Sequence, residues 1–441
     1  MKILVVGGGS GGHITPAIAV VREILETNPR AKVEFWTDRK YYKNVLKLTV
    51  LGKGDIPMKV RKVCSGKFRR YAGWTFKDYF RLWRITFRDL IFKNLIGFFG
   101  FLAGVVQSLF RLLSKSARPD VIFLKGGFVG LPVGMVAKWL KIPYVIHESD
   151  AQPGLANRLL MKKAKVVAMG TRFSTTREVE DVDETGKKIV REEPIPGREK
   201  WVWTGTPIAE EFRRVSMSRE GGLKKAFGFA TDKTLVVITG GSQGAEHLNL
   251  AVAEILPELM KHADVGLVAG RKHFEEMTEL KKYEVWEDAK LTSGFRMWEF
   301  NSNMAELLGA ADIVVSRAGA TTIAELAALA KAVILVPFGE LPGAHQTKNA
   351  EKLAEIGAVR YIDDEKMLKK PKLLLEMILE LARRPAERKK LAETLHDQAK
   401  LDSARILAEI VLKAGRGEFK QESKAASGVV SGMVEKEDAS R

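Results

Sequence analysis

The chain has 441 residues, 46% hydrophobic and 29% charged, enough for two globular domains each with its own core. Its single cysteine, Cys64, excludes a disulfide framework and any multi-cysteine metal site. The formal charge of +18 is uneven: Lys59 to Arg118 holds 14 Lys or Arg against Asp78 and Asp89, a net +12, which points to a polyanion, either nucleic acid or an anionic membrane.

The apolar run Ile3-Leu4-Val5-Val6 breaks at Gly7, so no secretory signal is expected. No window reaches the roughly 18 uninterrupted apolar residues of a membrane span, so a soluble or peripheral protein is expected. Apolar runs at 2–6, 33–37, 121–124, 143–147 and 165–169 alternate with helical patterns such as Ala17 to Leu25 and Leu131 to Leu140, the rhythm of a parallel α/β sheet. Within this half lies a basic-aromatic insert. Phe68, Tyr71, Trp74, Phe76, Tyr79, Phe80, Trp83 and Phe87 interleave with Lys67, Arg69, Arg70, Lys77, Arg81, Arg84 and Arg88, and an apolar run from Leu95 to Val106 follows. That run, at 12 residues, is too short to span a bilayer but suits burial at its interface. No nucleic-acid module is recognisable, so lipid is preferred over RNA.

Thr175 to Lys200 is charged and reads as a loop or insertion. Val202 to Gly205 reads as a short strand, and Pro207 marks a hinge. Strands near 235–239, 265–269, 313–315 and 333–336 then alternate with helices at about 246–261, 303–310 and 322–330. Residues 372–414 are helix-rich, and the tail from Arg416 is too poor in apolar residues to pack.

Two loops carry the chemistry. Gly7-Gly8-Gly9-Ser10-Gly11-Gly12-His13 follows the first strand, and Gly240-Gly241-Ser242-Gln243-Gly244-Ala245 follows Leu235 to Ile238. In each, backbone N–H groups and a helix dipole suit an anion. The first also spells G-x-G-x-x-G, with Asp38 after the next strand, a passable dinucleotide fingerprint. Against that reading, His13 crowds the helix start and the second loop would have no role. His13 is aimed into the cleft, where the helix dipole should keep its imidazole neutral. Ser316 to Glu325 forms another strand, small-residue turn and helix. There Thr321 and Thr322 offer hydroxyls, and Glu325 suits the two hydroxyls of a ribose. Gln346 offers donors and acceptors to a sugar. Asp181-Val182-Asp183 spells D-x-D without a preceding strand and is set aside as chance.

Gly8 to His13, Lys125 to Val129, His147 to Asp150 with Pro153 to Asn157, Gly240 to Ala245, Arg317 to Glu325, and His345-Gln346 with Asn349-Ala350 stand in family order. Together they resemble the MurG family, UDP-N-acetylglucosamine:undecaprenyl-diphospho-muramoylpentapeptide transferases of bacterial cell-wall synthesis, from Met1 to about Ala414. The resemblance implies a GT-B fold, two Rossmann-like parallel-sheet domains facing a central cleft. It implies inverting transfer of GlcNAc from UDP-GlcNAc to the muramoyl 4-hydroxyl of lipid I, with no cofactor or required metal, by a peripheral protein at the cytoplasmic face of the plasma membrane. Residues 1–206 would form the acceptor and membrane domain, with its insert at about 67–106, and 207–400 the UDP-GlcNAc domain. Residues 401–415 would be a helix returning to the first domain, and 416–441 a disordered tail.

By the same resemblance His13 is the candidate base. Ser10, Gly11 and Gly12 lie near the donor sugar, and Ser242, Gln243 and Gly244 near its phosphates with Ala320 and Thr321. Phe300 and Asn301 line the uracil pocket, Glu325 binds ribose and Gln346 the GlcNAc hydroxyls. Gly126, Gly127, Asp150 and Asn157 fall on the acceptor side. One departure is Ala209, where the family usually has an arginine; Arg213 or Arg214 is the expected substitute. The alternatives are a GT-B transferase with another lipid or glycan acceptor, or a UDP-sugar-binding protein without activity.

Overall fold

Seven parallel strands form the first sheet of the computed structural model, in the order β3-β2-β1-β4-β5-β6-β9. They are β1 (Lys2–Val6), β2 (Lys32–Thr37), β3 (Met58–Lys62), β4 (Val121–Leu124), β5 (Tyr144–Glu148), β6 (Val166–Met169) and β9 (Trp201–Trp203). Six more form a second parallel sheet, ordered β12-β11-β10-β13-β14-β15. These are β10 (Leu235–Thr239), β11 (Asp264–Val268), β12 (Phe295–Trp298), β13 (Ile313–Ser316), β14 (Ala332–Leu335) and β15 (Arg360–Tyr361). The structure describes residues 1–50, 56–68, 86–182, 188–218, 222–241, 244–271, 273–280, 294–339 and 344–419. Most of the insert's aromatic and basic residues, Ser242, Gln243, Asp183 and the tail beyond 419 lie outside them.

Helices cover both faces of each sheet, so the central strands are unbroken apolar runs rather than alternating ones. β4, β10 and β13 are buried at every residue. Three edge strands have no such run and were not expected. β3 (Met-Lys-Val-Arg-Lys), β12 (Phe-Arg-Met-Trp) and the two-residue β15 pair on one side only, and none has a buried residue.

Two expectations need correction. Thr175 to Lys200 is not a loop: β7 (Thr176–Val182) and β8 (Lys188–Pro194) pair as an antiparallel hairpin, with Val179 opposite Arg191 and Glu180 opposite Val190. Such a ribbon satisfies its backbone internally and needs no continuous apolar face. Nor is the apolar stretch too short to span a bilayer, because the 12-residue run lies inside a longer apolar segment. It belongs to one helix, Thr86–Leu113, whose segment Phe92–Leu113 has 22 residues at a mean hydropathy of 1.7, long and apolar enough to cross a membrane by length and composition. Single polar residues such as Gln107 interrupt the run in sequence, but a helix averages over them.

That helix is fastened to the domain along one side. Gln107 Oε1 accepts from the Cys64 backbone N–H at 2.8 Å, and Arg111 donates to the Lys62 carbonyl at 3.0 Å and lies over the Trp36 ring. At Gly104 an added Cβ would lie 2.1 Å from the Cys64 carbonyl oxygen, so the two backbones meet there.

The last helix, Ser403–Arg416, crosses back. Its Leu407, Ala408, Val411 and Leu412 are buried with Ile3, Val5, Val121 and Val145 in the core of the first half.

Candidate active site

In each sheet the strand order reverses beside the first strand, between β1 and β4 and between β10 and β13. Loops leaving the carboxyl ends of such a pair diverge and leave a crevice. The sequence-predicted loops after β1, β4, β10 and β13 stand at these two points, while His147 to Asn157 follows the neighbouring β5 and His345 to Ala350 the neighbouring β14.

After β1, glycine is required by contact. A Cβ at Gly7 would sit 2.7 Å from the His13 carbonyl oxygen, and at Gly9 (φ +82°) 2.7 Å from the Phe128 ring. Helix Gly11–Thr27 begins directly after Ser10, with no side-chain cap and no acid in its first turn, so its positive end faces the crevice bare. After β4, Gly126 and Gly127 both have positive φ, and a Cβ on Gly127 would touch the His13 ring at 3.2 Å.

His13 is held at about 4, well below the usual histidine range. Burial is the largest cause and the Lys125 ammonium the next, with Asp150 opposing them, in keeping with the neutral imidazole expected from sequence. The Lys125 carbonyl hydrogen-bonds the ring, while Nδ1 is buried with no protein partner. A neutral imidazole that donates through Nε2 leaves Nδ1 as a free lone pair.

Beneath His13 lies a buried polar network. Lys125 is 1% exposed and donates to Ser149 Oγ at 2.6 Å; burial lowers it to about 8, against the pull of Glu148 and Asp150. Glu148 accepts from the backbone N–H of Asp150 (3.1 Å) and Gly154 (2.9 Å) and from Asn157 Nδ2 (2.9 Å). Burial, then Asp150, raises its carboxyl. His147, buried and pushed well down by burial and then Lys125, contacts the Gly205 carbonyl through Nε2 at 2.8 Å. Asp150 and Asn157 are thus brought beside His13, but Asn157 spends its amide on Glu148. Lys125 and Glu148 carried no assigned role from sequence. The signal was there: a lysine ending a wholly apolar strand before two glycines.

In the second half, Gly241 (φ +72°) and Gly244 (φ +73°) bracket Ser242 and Gln243 and lead into helix Glu246–Leu259. Helix Ala320–Ala328 starts after β13 and reaches the other half, where Thr321 Oγ1 donates to the Gly12 carbonyl at 3.3 Å. Glu325, one turn on, is pushed up to about 8 by burial and then by Glu211. In helix His345–Glu355, Gln346 Oε1 accepts from the Phe338 N–H at 3.0 Å, leaving its NH₂ group. Phe300 is exposed beneath the Arg271 guanidinium. Asn301 is buried, and its Oδ1 accepts from the Asn303 N–H at 2.8 Å. Arg317 is buried and pairs with Asp364, which also contacts His247. Ala209 precedes helix Glu210–Met217. Arg213 lies 3.7 Å from Glu23 and Arg214 2.9 Å from Glu306.

Two Rossmann-type sheets with glycine loops facing each other define the GT-B glycosyltransferase class. A family model of the glycosyltransferase family 28 N-terminal domain matches residues 3–169, and one of the C-terminal domain matches residues 235–410. Among curated relatives, the UDP-N-acetylglucosamine–N-acetylmuramyl-(pentapeptide) pyrophosphoryl-undecaprenol N-acetylglucosamine transferase of Thermoanaerobacter sp. (strain X514) is 32% identical over 416 residues. The match covers 93% of this chain and 99% of that protein. The protein of the same name from Clostridium perfringens (strain SM101 / Type A) is 34% identical, over 86% of this chain and 90% of its own. The chain belongs to glycosyltransferase family 28. Acinetobacter baumannii MurG shares the fold at a TM-score of 0.64 and 22% identity, over 93% of this chain and 99% of that one. CalG4, the calicheamicin glycosyltransferase, does so at 0.59 and 13%, over 95% and 98%.

The titration of His13 tests this electrostatic reading. Its ring resonances should stay those of a neutral imidazole from pH 8 down to about 5 and move only near pH 4. Lys125→Met should raise that midpoint; a midpoint at the usual histidine value would refute the burial argument. Because the unfolded chain takes up this proton at a higher pH than the folded one, His13 lowers stability as pH falls below the ordinary histidine range.

Proposed function

We propose that the chain transfers GlcNAc, with inversion, from UDP-GlcNAc to the muramoyl 4-hydroxyl of undecaprenyl-diphosphate-linked muramoyl-pentapeptide (lipid I), forming lipid II. The observation that carries this is the Thr321–Gly12 contact at 3.3 Å. It sets the helix start beside His13 against the helix start that leads to Glu325, so a nucleotide sugar held on one side presents its anomeric carbon to the other. The names of the relatives support the same donor and acceptor.

Donor recognition follows from the chemistry of each group. Gly244, with Ser242 and Gln243, and the N–H groups at Ala320 and Thr321 meet the diphosphate. Glu325 accepts from the ribose hydroxyls, Phe300 and Asn301 flank the uracil, and Gln346 uses its NH₂ on the sugar. On the acceptor side, Ser10, Gly11 and Gly12 face the transferring sugar and the acceptor diphosphate. Gly126 and Gly127 let the acceptor approach closely, and Asp150 orients it. Asn157 acts through Glu148 and holds that loop in shape.

In the reaction, the 4-hydroxyl oxygen attacks the anomeric carbon opposite UDP. The bond from that carbon to the β-phosphate oxygen breaks, its electron pair leaves on UDP, and the hydroxyl proton passes to His13 Nδ1. A neutral histidine with a free Nδ1 suits this step. The departing charge is met by bare helix N-termini, so we assign no required metal.

The basic-aromatic region fits a substrate held in a bilayer. Phe92, Ile96, Phe99, Val106 and Phe110 of helix Thr86–Leu113 face outward, Phe110 at 73% exposure, and Trp139 and Leu159 are exposed on helices that follow. Fastened along its inner side, this helix can lie in the membrane plane with its apolar face in hydrocarbon. Surrounding Lys and Arg then meet anionic headgroups at the cytoplasmic face, and no nucleic-acid partner is assigned.

Three outcomes are expected. Labelled GlcNAc should pass to a lipid I analogue, and His13→Ala should lower kcat by about 10²–10⁴-fold with the donor KM little changed; equal turnover would place the base elsewhere. UDP should bind more tightly as pH rises through about 8, because the ionised Glu325 is the better acceptor. In Glu325→Gln that dependence should vanish, and a slope that persists in calorimetric titrations would remove Glu325 from the ribose. Phe99→Ser with Phe110→Ser should release the protein from phosphatidylglycerol vesicles in flotation assays. Full retention would show that this face is not the membrane contact.

A further inference from the structure

Between the two halves, one side chain makes contacts that neither half supplies alone. Asn349, one turn into helix His345–Glu355, is 4% exposed. Its Nδ2 donates to Asp150 Oδ1 at 3.0 Å and to the Ala318 carbonyl at 3.2 Å, and its Oδ1 accepts from the Ala151 N–H at 2.9 Å. Asp150 and Ala151 belong to the loop after β5 in the first half. Ala318 lies in the turn after β13, ahead of Thr321 and Glu325. Both amide hydrogens and the amide oxygen are therefore spent on a junction of three segments.

We propose that Asn349 is the closure latch of the cleft, a positioning residue that couples the donor-side helices to the loop beside His13. This rests on the transferase reading for its kinetic part only. An amide is the group the site requires: Asp150 needs a donor and the Ala151 N–H an acceptor, in one plane and at one reach. Aspartate in its place would oppose a second carboxylate, and glutamine is one methylene too long. When the halves part, Asp150 and Asn349 return to water, so their mutual bonds exist only in the closed state and favour it by what they gain over hydration. From Asp150 the order passes inward. The Asp150 N–H is held by Glu148, and the neighbouring Ser149 is bonded to Lys125, whose carbonyl meets His13. Closure on the donor side thereby fixes the loop that positions the base. The neighbouring Lys348–Gln152 pair also crosses the cleft but is exposed, and is worth little in water.

The test uses the full chain, with two independent readouts. Small-angle scattering of the unliganded protein should show a larger radius of gyration for Asn349→Ala than for the parent, while Lys348→Ala scatters like the parent. In transfer assays Asn349→Ala should lose about 10–100-fold in kcat and keep UDP affinity within about threefold, because the donor contacts remain on one half. Asn349→Asp should be more expanded still, and adding Asp150→Asn to it should recover at least part of that expansion in scattering, since the exchanged pair can again donate and accept; the rescue is read in scattering because Asp150 also orients the acceptor. Unchanged scattering in Asn349→Ala, or an absent partner rescue in folded variants, would overturn the latch. A parent chain that scatters as expected but neither binds UDP nor transfers GlcNAc would overturn the transferase reading instead, leaving the scattering comparison to decide the latch.

Discussion

The site depends on one topological constraint, the reversal of strand order in each parallel sheet. Buried strands end in carbonyls and N–H groups that need partners, and at β1/β4 and β10/β13 the chain leaves in opposite directions. The loops there can satisfy one another only by close backbone approach, which is why Gly7, Gly9, Gly126 and Gly127 have no room for a side chain. The same crowding presses the His13 ring onto Gly127 and leaves the first turn of its helix uncapped. The bare helix start and the position of the His13 ring are therefore two results of one packing problem.

Electrostatics then differentiates the halves. In the first, a buried lysine sits among Glu148, Asp150 and His13, and burial penalises every charge present. The arrangement holds because each charged group has a specific partner: Ser149 for Lys125, and two N–H groups and Asn157 for Glu148. The histidine, without a countercharge in contact, stays neutral. In the second half Glu325 is raised by burial and then by Glu211, with no side-chain hydrogen bond among the described residues. Arg317, by contrast, is already matched by Asp364 and belongs to the scaffold of its loop.

Much of this was legible in the chain, for a physical reason. Strands buried on both faces must be apolar throughout, so β1, β4, β10 and β13 announced themselves, and glycine clusters after them marked the loops. Edge strands escaped because one-sided pairing imposes no such composition, as Met58–Lys62 shows. The β7/β8 ribbon escaped because backbone pairing alone sustains it. His13, Glu325 and Gln346 could be placed from sequence, because each lies in the first two turns of a helix that follows a strand. Lys125 and Asn349 could not be given roles, because each takes its meaning from partners distant in sequence: 24 residues away for Lys125, and 198 and 199 for Asn349. The burial that helps keep His13 neutral was not legible, since the packing of the loops after β4 on its ring exists only in three dimensions.

The outward-facing helix Thr86–Leu113 bears on the cleft through its attachment. It is fixed to residues 62–64, immediately after β3, and packs on helix Gly130–Trp139, which follows the Gly126-Gly127 turn. A bilayer holding that apolar face would thus orient the first sheet as a rigid body, with the carboxyl ends of β1 and β4 at a fixed height above the headgroups. An acceptor anchored by a polyprenyl chain has its diphosphate at the same level, so the search for it is reduced to two dimensions and its approach to one direction. A nucleotide-sugar donor comes from solution and needs no such constraint, and the second half is tied to the first by the returning helix Ser403–Arg416 and the contacts across the cleft. Under the proposed function, division of labour between the halves follows from where each substrate resides: one sheet would be oriented by the lipid surface, and the other would close over a ligand from solution.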